Sequence, residues 1–384
     1  MTFKRKIGAM LAAGATMASL TLVSISGSAP AGAATVNWSK VTHLTKSGPT
    51  SLAALVKAAK KEGKLNVIAL PRNWANYGAL LDGFHKKYGI KITSANPDGS
   101  SAQEVAALTA DRGRSSAPDV IDVGTSYALT AQQQGLLASY KVQTWNEIPA
   151  SLKDAGGQWF DDYGGFVAIG CNTAAVTCPT SFQQMLAAKA SSNYKIGLNN
   201  SPLQSNSALA GVQAAALANG GSLDNVKPGV DFFATLAKNG TFVPTIANVT
   251  TVENGATNIV IWWDYLQATG ISPSLGSWKV FVPSDAALGE YYSQAISKTA
   301  PHPATARLWE EYLYSVTGQN LWLQGEARPV ELAYMQAHNQ ANKAWLAKLP
   351  SLPAGTTPQY PSTAQIAAAA TVVGNNWATE VGAG

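Results

Sequence analysis

Apolar positions in this chain fall into short continuous runs. Each run is followed by a polar loop and then by a segment in which apolar residues recur every three to four positions. Residues 65–70 (LNVIAL), 91–96 (KITSAN) and 119–124 (DVIDVG) have strand character. Residues 51–64 (SLAALVKAAKKEGK), 78–89 (GALLDGFHKKYG), 102–113 (AQEVAALTADRG) and 128–137 (ALTAQQQGLL) have the helical period. The first of these opens on a capping serine and closes near a glycine. Three strand–loop–helix units in succession predict a parallel sheet with covering helices. Each loop then lies at the carboxyl edge of the sheet, where open α/β folds bind ligands.

The pattern resumes in the second half. Residues 164–172 (GGFVAIGCN) form an apolar strand suited to crossing into a second domain. Residues 194–198 (YKIGL) and 258–262 (NIVIW) read as further strands, and 208–221 and 230–240 as helices. Residues 277–297 supply strands that return to the first domain, and the chain from 303 onward is largely helical. The expected division is a first lobe at 34–163 and a second at 164–283. A return crossing with C-terminal helices packing on both lobes fills 284–384.

The N-terminus changes the charge balance. MTFKRK, an apolar stretch from Ile7 to about Ser26 and the small-residue exit SAPAGAAT read as a secretory leader (1–33), cleaved after Ala33 or Ala34. The formal charge of +5 comes from 27 Lys and Arg against 22 Asp and Glu. Without Lys4, Arg5 and Lys6 the balance is 24 against 22, or +2. A chain that near neutral offers no global field for nucleic acid. With no cysteine near the exit to carry a lipid anchor, the expected product is periplasmic or extracellular. In an exported protein the two cysteines, Cys171 and Cys178, are expected to form a disulfide.

Catalytic signatures do not stand out. The four histidines are His43, His85, His302 and His338, and there is no His-Glu-x-x-His, Gly-x-Ser-x-Gly or P-loop. Asp161-Asp162 could be paired acids of a secreted hydrolase, but adjacent strand residues point to opposite faces. No catalytic residue, metal or cofactor is expected.

Residues 298–330 (KTAPHPATARLWEEYLYSVTGQNLWLQGEARPV), together with 60–92 and 117–124 (APDVIDVG), carry a resemblance. The chain resembles the bacterial extracellular solute-binding proteins of ABC importers, in the type 2 periplasmic-binding-protein group. That group contains polyamine, ferric-iron, thiamine and aminophosphonate receptors. The resemblance implies an α/β fold of two domains joined by crossing strands, with a ligand cleft between the lobes. It also implies a small-molecule ligand and an ABC permease as partners, with the receptor a monomer. Closure of the lobes on the ligand would be a population shift rather than chemistry.

The candidate binding residues follow from the loops. Trp74 and Tyr77, in PRNWANYG after the first strand, can stack on an apolar stem or face a cation. Arg72 beside them can pair an anion bidentately, or equally be a solvated or salt-bridged arginine. Asp98, Ser100 and Ser101 precede a helix, where serines cap and can also hold an anion. Ser126 holds the corresponding place after the third strand, and Ser205 and Asn206 lead another helix start. Trp263-Asp264-Tyr265 is the sharpest cluster, a carboxylate between two rings that suits an ammonium group. If strand alternation continues through it, Asp264 faces away from both rings. Tyr291 lies near the return crossing. Iron receptors of the group often use an adjacent tyrosine pair; here that position reads Trp263-Asp264-Tyr265, and Tyr291-Tyr292 falls later. The expected ligand is small, polar and amine-bearing, of the di- or polyamine kind. An aminophosphonate, thiamine and ferric iron are the alternatives.

Overall fold

The longest strand organises the molecule. In the computed structural model, which describes residues 36–188 and 193–382, Phe160–Asn172 runs unbroken for 13 residues, 12 of them buried. The strands in chain order are β1 (Lys64–Ile68), β2 (Lys91–Ala95), β3 (Val120–Gly124), β4 (Leu137–Ala138) and β5 (Phe160–Asn172). They continue as β6 (Ile196–Leu198), β7 (Ile259–Trp263), β8 (Trp278–Phe281), β9 (Gly289–Ser297) and β10 (Arg328–Pro329). The first half of β5 pairs antiparallel with β9 and β10. Its second half pairs antiparallel with β7 and β8. β5 therefore belongs to both halves of one large sheet, ordered β3-β9-β5-β7-β6. Between β8 and β9 the chain passes from the second half of β5 back to the first. The fold is mixed α/β, with one sheet shared by two lobes. The expected leader lies outside the described residues.

Helices form where the sequence places their caps. Ser51 caps Leu52–Glu62, and Gly63 ends it in the left-handed conformation, with φ of 70°. Ser100 and Gln103 close a capping box on Ser101–Ala110. That helix and Thr125–Gln133 contribute Val105, Leu108, Ala128 and Ala131 to a core with Ile121 and Val123 of β3. A separate core in the second lobe joins Val260 and Trp278 to Val252 and Ile271.

The predicted parallel sheet is mixed instead. β1 pairs parallel with β2, and β6 with β7, but β3 pairs antiparallel with β9. On the edge of β1 away from β2, a side chain stands in place of a ladder. The Asp119 carboxylate takes the N–H of Asn66 (2.7 Å), and the Asn66 amide donates to Ser115 O and Ala117 O. Only one backbone bond, Asp119 N–H to Asn66 O, then links β1 to the start of β3.

Two local features set up the interior. Opposite β9, strand β5 carries one extra residue between Asp161 and Gly164. This bulge strengthens the local twist and re-aims side chains, here Tyr163, which stacks on Tyr292 with centroids 5.6 Å apart and planes 3° apart. Gly124, at the end of β3, lies against the Asn206 side chain so closely that a Cβ would collide with it. The two lobes thus meet behind the cleft at a position only glycine fits. The expected disulfide is present, joining Cys171 at the end of β5 to Cys178.

Candidate functional site

Loops at the carboxyl ends of β1, β2, β6 and β7, with residues 246–249, converge on a cavity of about 410 Å³. This is the crevice that an open α/β fold offers a ligand. The first lobe contributes Trp74 from the loop after β1 and Asp98, Ser100 and Ser101 from the loop after β2. The second contributes Asn199, Asn200 and Ser205 after β6, Asn248, and Trp262 near the end of β7. Tyr292 of β9 completes an aromatic wall. Trp74 meets Trp262 and Tyr292 edge-on, with centroids 5.8 Å apart in each case.

The buried end of the cavity is acidic. Strand alternation directs Ile121 and Val123 into the core and leaves Asp122 on the cavity side. Asp122 Oδ2 accepts from the hydroxyls of Tyr77 (2.5 Å) and Tyr163 (2.9 Å), while its Oδ1 has no protein partner. The Tyr163 hydroxyl in turn accepts from Trp74 Nε1 (2.7 Å), which ties the first loop to the acid. Glu104 Oε2 accepts the backbone N–H of Asp122 (3.1 Å). Burial pushes the Asp122 carboxyl up to about 7, against the two tyrosine hydrogen bonds that pull it down. Burial, and then the charge of Asp122, hold Glu104 well above the usual carboxylate range. Among the described residues lining the cavity, the only charged side-chain types are Asp98, Glu104 and Asp122; no Lys, Arg or His is present. Trp262 Nε1 is a donor without a protein partner.

Such a site suits a cation. Carboxylates supply the countercharge, ring faces add cation–π attraction, and the asparagines and serines offer neutral hydrogen bonds.

Comparison with known proteins agrees with the fold, which is the two-lobed α/β fold of type 2 periplasmic binding proteins. Residues 115–353, well over half the chain, match the family described as bacterial extracellular solute-binding protein. The chain belongs to that family. Similar solved structures include the ferric binding protein from Campylobacter jejuni. It is 17% identical, with a TM-score of 0.62, and the match covers 82% of this chain and 98% of that one. AfuA from Actinobacillus pleuropneumoniae, solved with fructose-6-phosphate, is 18% identical with a TM-score of 0.64, covering 83% and 98%. AgtB from A. tumefacien R10, solved with agropinic acid, is 15% identical with a TM-score of 0.63, covering 83% and 98%. No curated protein matches.

The fold of this solute-binding protein brings some predicted residues to the cavity and leaves others elsewhere. Trp74, Asp98, Ser100, Ser101 and Ser205 line it. Both serines of the first lobe also have structural duties. Ser100 caps its helix, and Ser101 Oγ accepts the N–H of Gly124 (3.2 Å). Tyr77 is fully buried behind the wall, where it holds Asp122. Arg72 is exposed and paired with Asp82 (2.5 Å), outside the cavity lining. Ser126 and Asn206 join across the lobes (3.3 Å), also outside it.

The Trp263-Asp264-Tyr265 cluster does not open onto the cavity. β7 ends at Trp263 and a helical turn begins at Asp264. Trp263 is buried and donates from Nε1 to the Tyr292 hydroxyl (3.3 Å). Asp264 is fully buried; it accepts from Arg328 Nη1 (2.7 Å) and from the N–H groups of Phe166 (3.0 Å) and Tyr265 (2.9 Å). Tyr265 is buried against Tyr163. Tyr291 stacks on Tyr360, whereas its neighbour Tyr292 lines the cavity, so the two do not form a joint pair.

Sequence reading missed Glu104, Asp122, Trp262 and Tyr292. One signal was available for Asp122: an acid inside the apolar run DVIDVG demands a partner or a purpose. Glu104 had no such signal, since an acid in the first turn of a helix is ordinary.

Proposed function

We propose that this solute-binding protein is an exported receptor. It captures a small amine-bearing cation of the di- or polyamine kind and delivers it to an ABC permease. The observation that carries the reading is the charge of the wall: three carboxylic acids, two at the buried end and Asp98 at the exposed end, with no cationic side chain. An ammonium group at the buried end pairs with Asp122 and Glu104 while Trp74, Trp262 and Tyr292 flank it. A second amine reaches Asp98. The cavity, about 410 Å³, is of the size that holds a small solute. An aminophosphonate or a sugar phosphate has the helix starts at Ser100 and Ser205 in its favour. Neither finds a fixed cation on the wall. The relatives solved with iron, fructose-6-phosphate and agropinic acid span several chemistries, so the ligand must be argued from this chain's own side chains. Among the described residues no group of three or more His, Cys, Asp or Glu is placed to hold a metal.

Thermal unfolding against a panel tests the proposal. Putrescine and spermidine are set against 2-aminoethylphosphonate, thiamine, fructose-6-phosphate and ferric citrate, each near 1 mM. A micromolar ligand at that excess stabilises by about 4 kcal/mol, so the amines should raise Tm by several degrees. A shift confined to the anions would overturn the cation reading while leaving the receptor fold intact.

A further inference from the structure

A second cavity, of about 30 Å³ and lined by none of the residues that line the first, lies beneath Tyr360. Asp161 of β5 and Glu290 of β9 both face it and are 2% and 4% exposed. Thr125 lines it as well, at the start of the helix Thr125–Gln133. No cationic side chain is among its lining residues. Neutral groups alone meet the acids: Ser293 Oγ donates to Asp161 Oδ1 (2.6 Å), the Thr125 hydroxyl also bonds Asp161 and accepts from Ser293 Oγ (3.2 Å), and Asn206 Nδ2 donates to Glu290 Oε2 (2.5 Å). Glu290 Oε1 has no partner.

We propose that this cavity is a binding site for one hard cation of the calcium class. It is held by the carboxylates of Asp161 and Glu290 with the Thr125 hydroxyl. Two buried carboxylates without a countercharge are costly, and a cation between them replaces mutual repulsion with attraction. Burial raises both acids to about 8; the charge of Asp122 adds to the rise at Asp161, and that of Asp161 to the rise at Glu290. The donors are all oxygen, which selects calcium over zinc or copper. The cavity is large enough for one ion and little more. Two carboxylates make a site with few charged ligands, so the expected Kd is about 0.1–1 mM, as in extracellular calcium modules. The elements that meet here are β5, β9, the start of the helix Asn206–Ala218 and residues 360–366. A bound ion therefore ties the crossing strands to both lobes.

The test is thermal unfolding of the full mature chain at pH 8, first dialysed against chelator and then titrated with CaCl₂ from 0 to 20 mM. NaCl is matched to equal ionic strength throughout. A saturable rise in Tm of roughly 5 °C at 20 mM CaCl₂, about 20-fold or more over Kd, is expected. The rise should vanish in both Glu290→Gln and Asp161→Asn. Gln keeps an acceptor for Asn206, so Glu290→Gln should unfold cooperatively at a Tm equal to or above that of the parent without calcium. A flat titration, a rise equal to that with NaCl, or a calcium response that survives in Glu290→Gln would each overturn the proposal.

Discussion

Asp122→Asn separates ligand binding from stability, because the account predicts that the two move in opposite directions. The replacement keeps an acceptor for the Tyr77 and Tyr163 hydroxyls but removes the charge that faces the cavity. A hydrogen bond to a charged group contributes about 1.5–3 kcal/mol, so Kd for an amine should rise roughly 10- to 150-fold. Stability should change the other way. The folded-state pKa of about 7 lies above the usual carboxylate value of 3.8. The folded protein therefore binds a proton that the unfolded chain has released. The parent loses stability as pH rises from about 4 to 7, and the loss is complete above that range. Three pKa units set a ceiling on the order of 4 kcal/mol. The asparagine variant lacks this slope, so it should equal the parent near pH 4 and exceed it by up to a few kcal/mol at pH 8.

Binding should carry the same proton. An ammonium group draws Asp122 into its ionised form, so affinity rises with pH up to about 7 and binding near pH 6 releases protons. Urea unfolding at pH 4 and pH 8 measures the first effect. Calorimetric titration in two buffers of different ionisation enthalpy measures the second. An Asp122→Asn variant with affinity within twofold of the parent, or with lower stability at pH 8, would refute the reasoning.

The remaining predictions concern the frame around the cleft. Arg328→Met leaves the fully buried Asp264 without its cation and should cost about 3–5 kcal/mol in urea unfolding; a loss under 1 kcal/mol would mean that the two backbone N–H groups suffice. Gly165→Ala drives a Cβ into Asp264 Oδ1 and the Tyr265 ring, both buried, and should destabilise by about 1–3 kcal/mol, measured the same way. Replacing Cys171 and Cys178 by alanine opens a short loop and should cost about 2–3 kcal/mol while leaving ligand affinity unchanged, since neither lines the cavity.

Much of the fold was written in local pattern. Ser51 with Gly63, and Ser100, mark helix ends by chemistry that acts within a few residues, and the structure bears them out. The apolar run of 164–172 announced an apolar strand suited to a crossing, and it forms the larger part of β5. The partner of β3 was not legible, because the strand that pairs with it, β9, begins 165 residues after Gly124, at Gly289. The site was legible only where a loop's position decided the outcome, as for Trp74 and Ser100. Asp264 was misleading because its charge is met by Arg328, 64 residues away. Strand alternation, which would turn Asp264 away from both rings, ends with the strand at Trp263. Arg72 likewise found Asp82 one helical stretch on, a pairing that spacing alone did not single out.

The central claim is that acids on the cavity wall recognise a cation. Calorimetric titration of the purified protein with putrescine and, separately, with 1,4-butanediol tests it most directly. The two solutes share a four-carbon stem and differ in charge. The account predicts micromolar binding of the diamine and none of the diol at millimolar concentration. Equal affinities, or binding of neither while an anionic solute binds tightly, would contradict it.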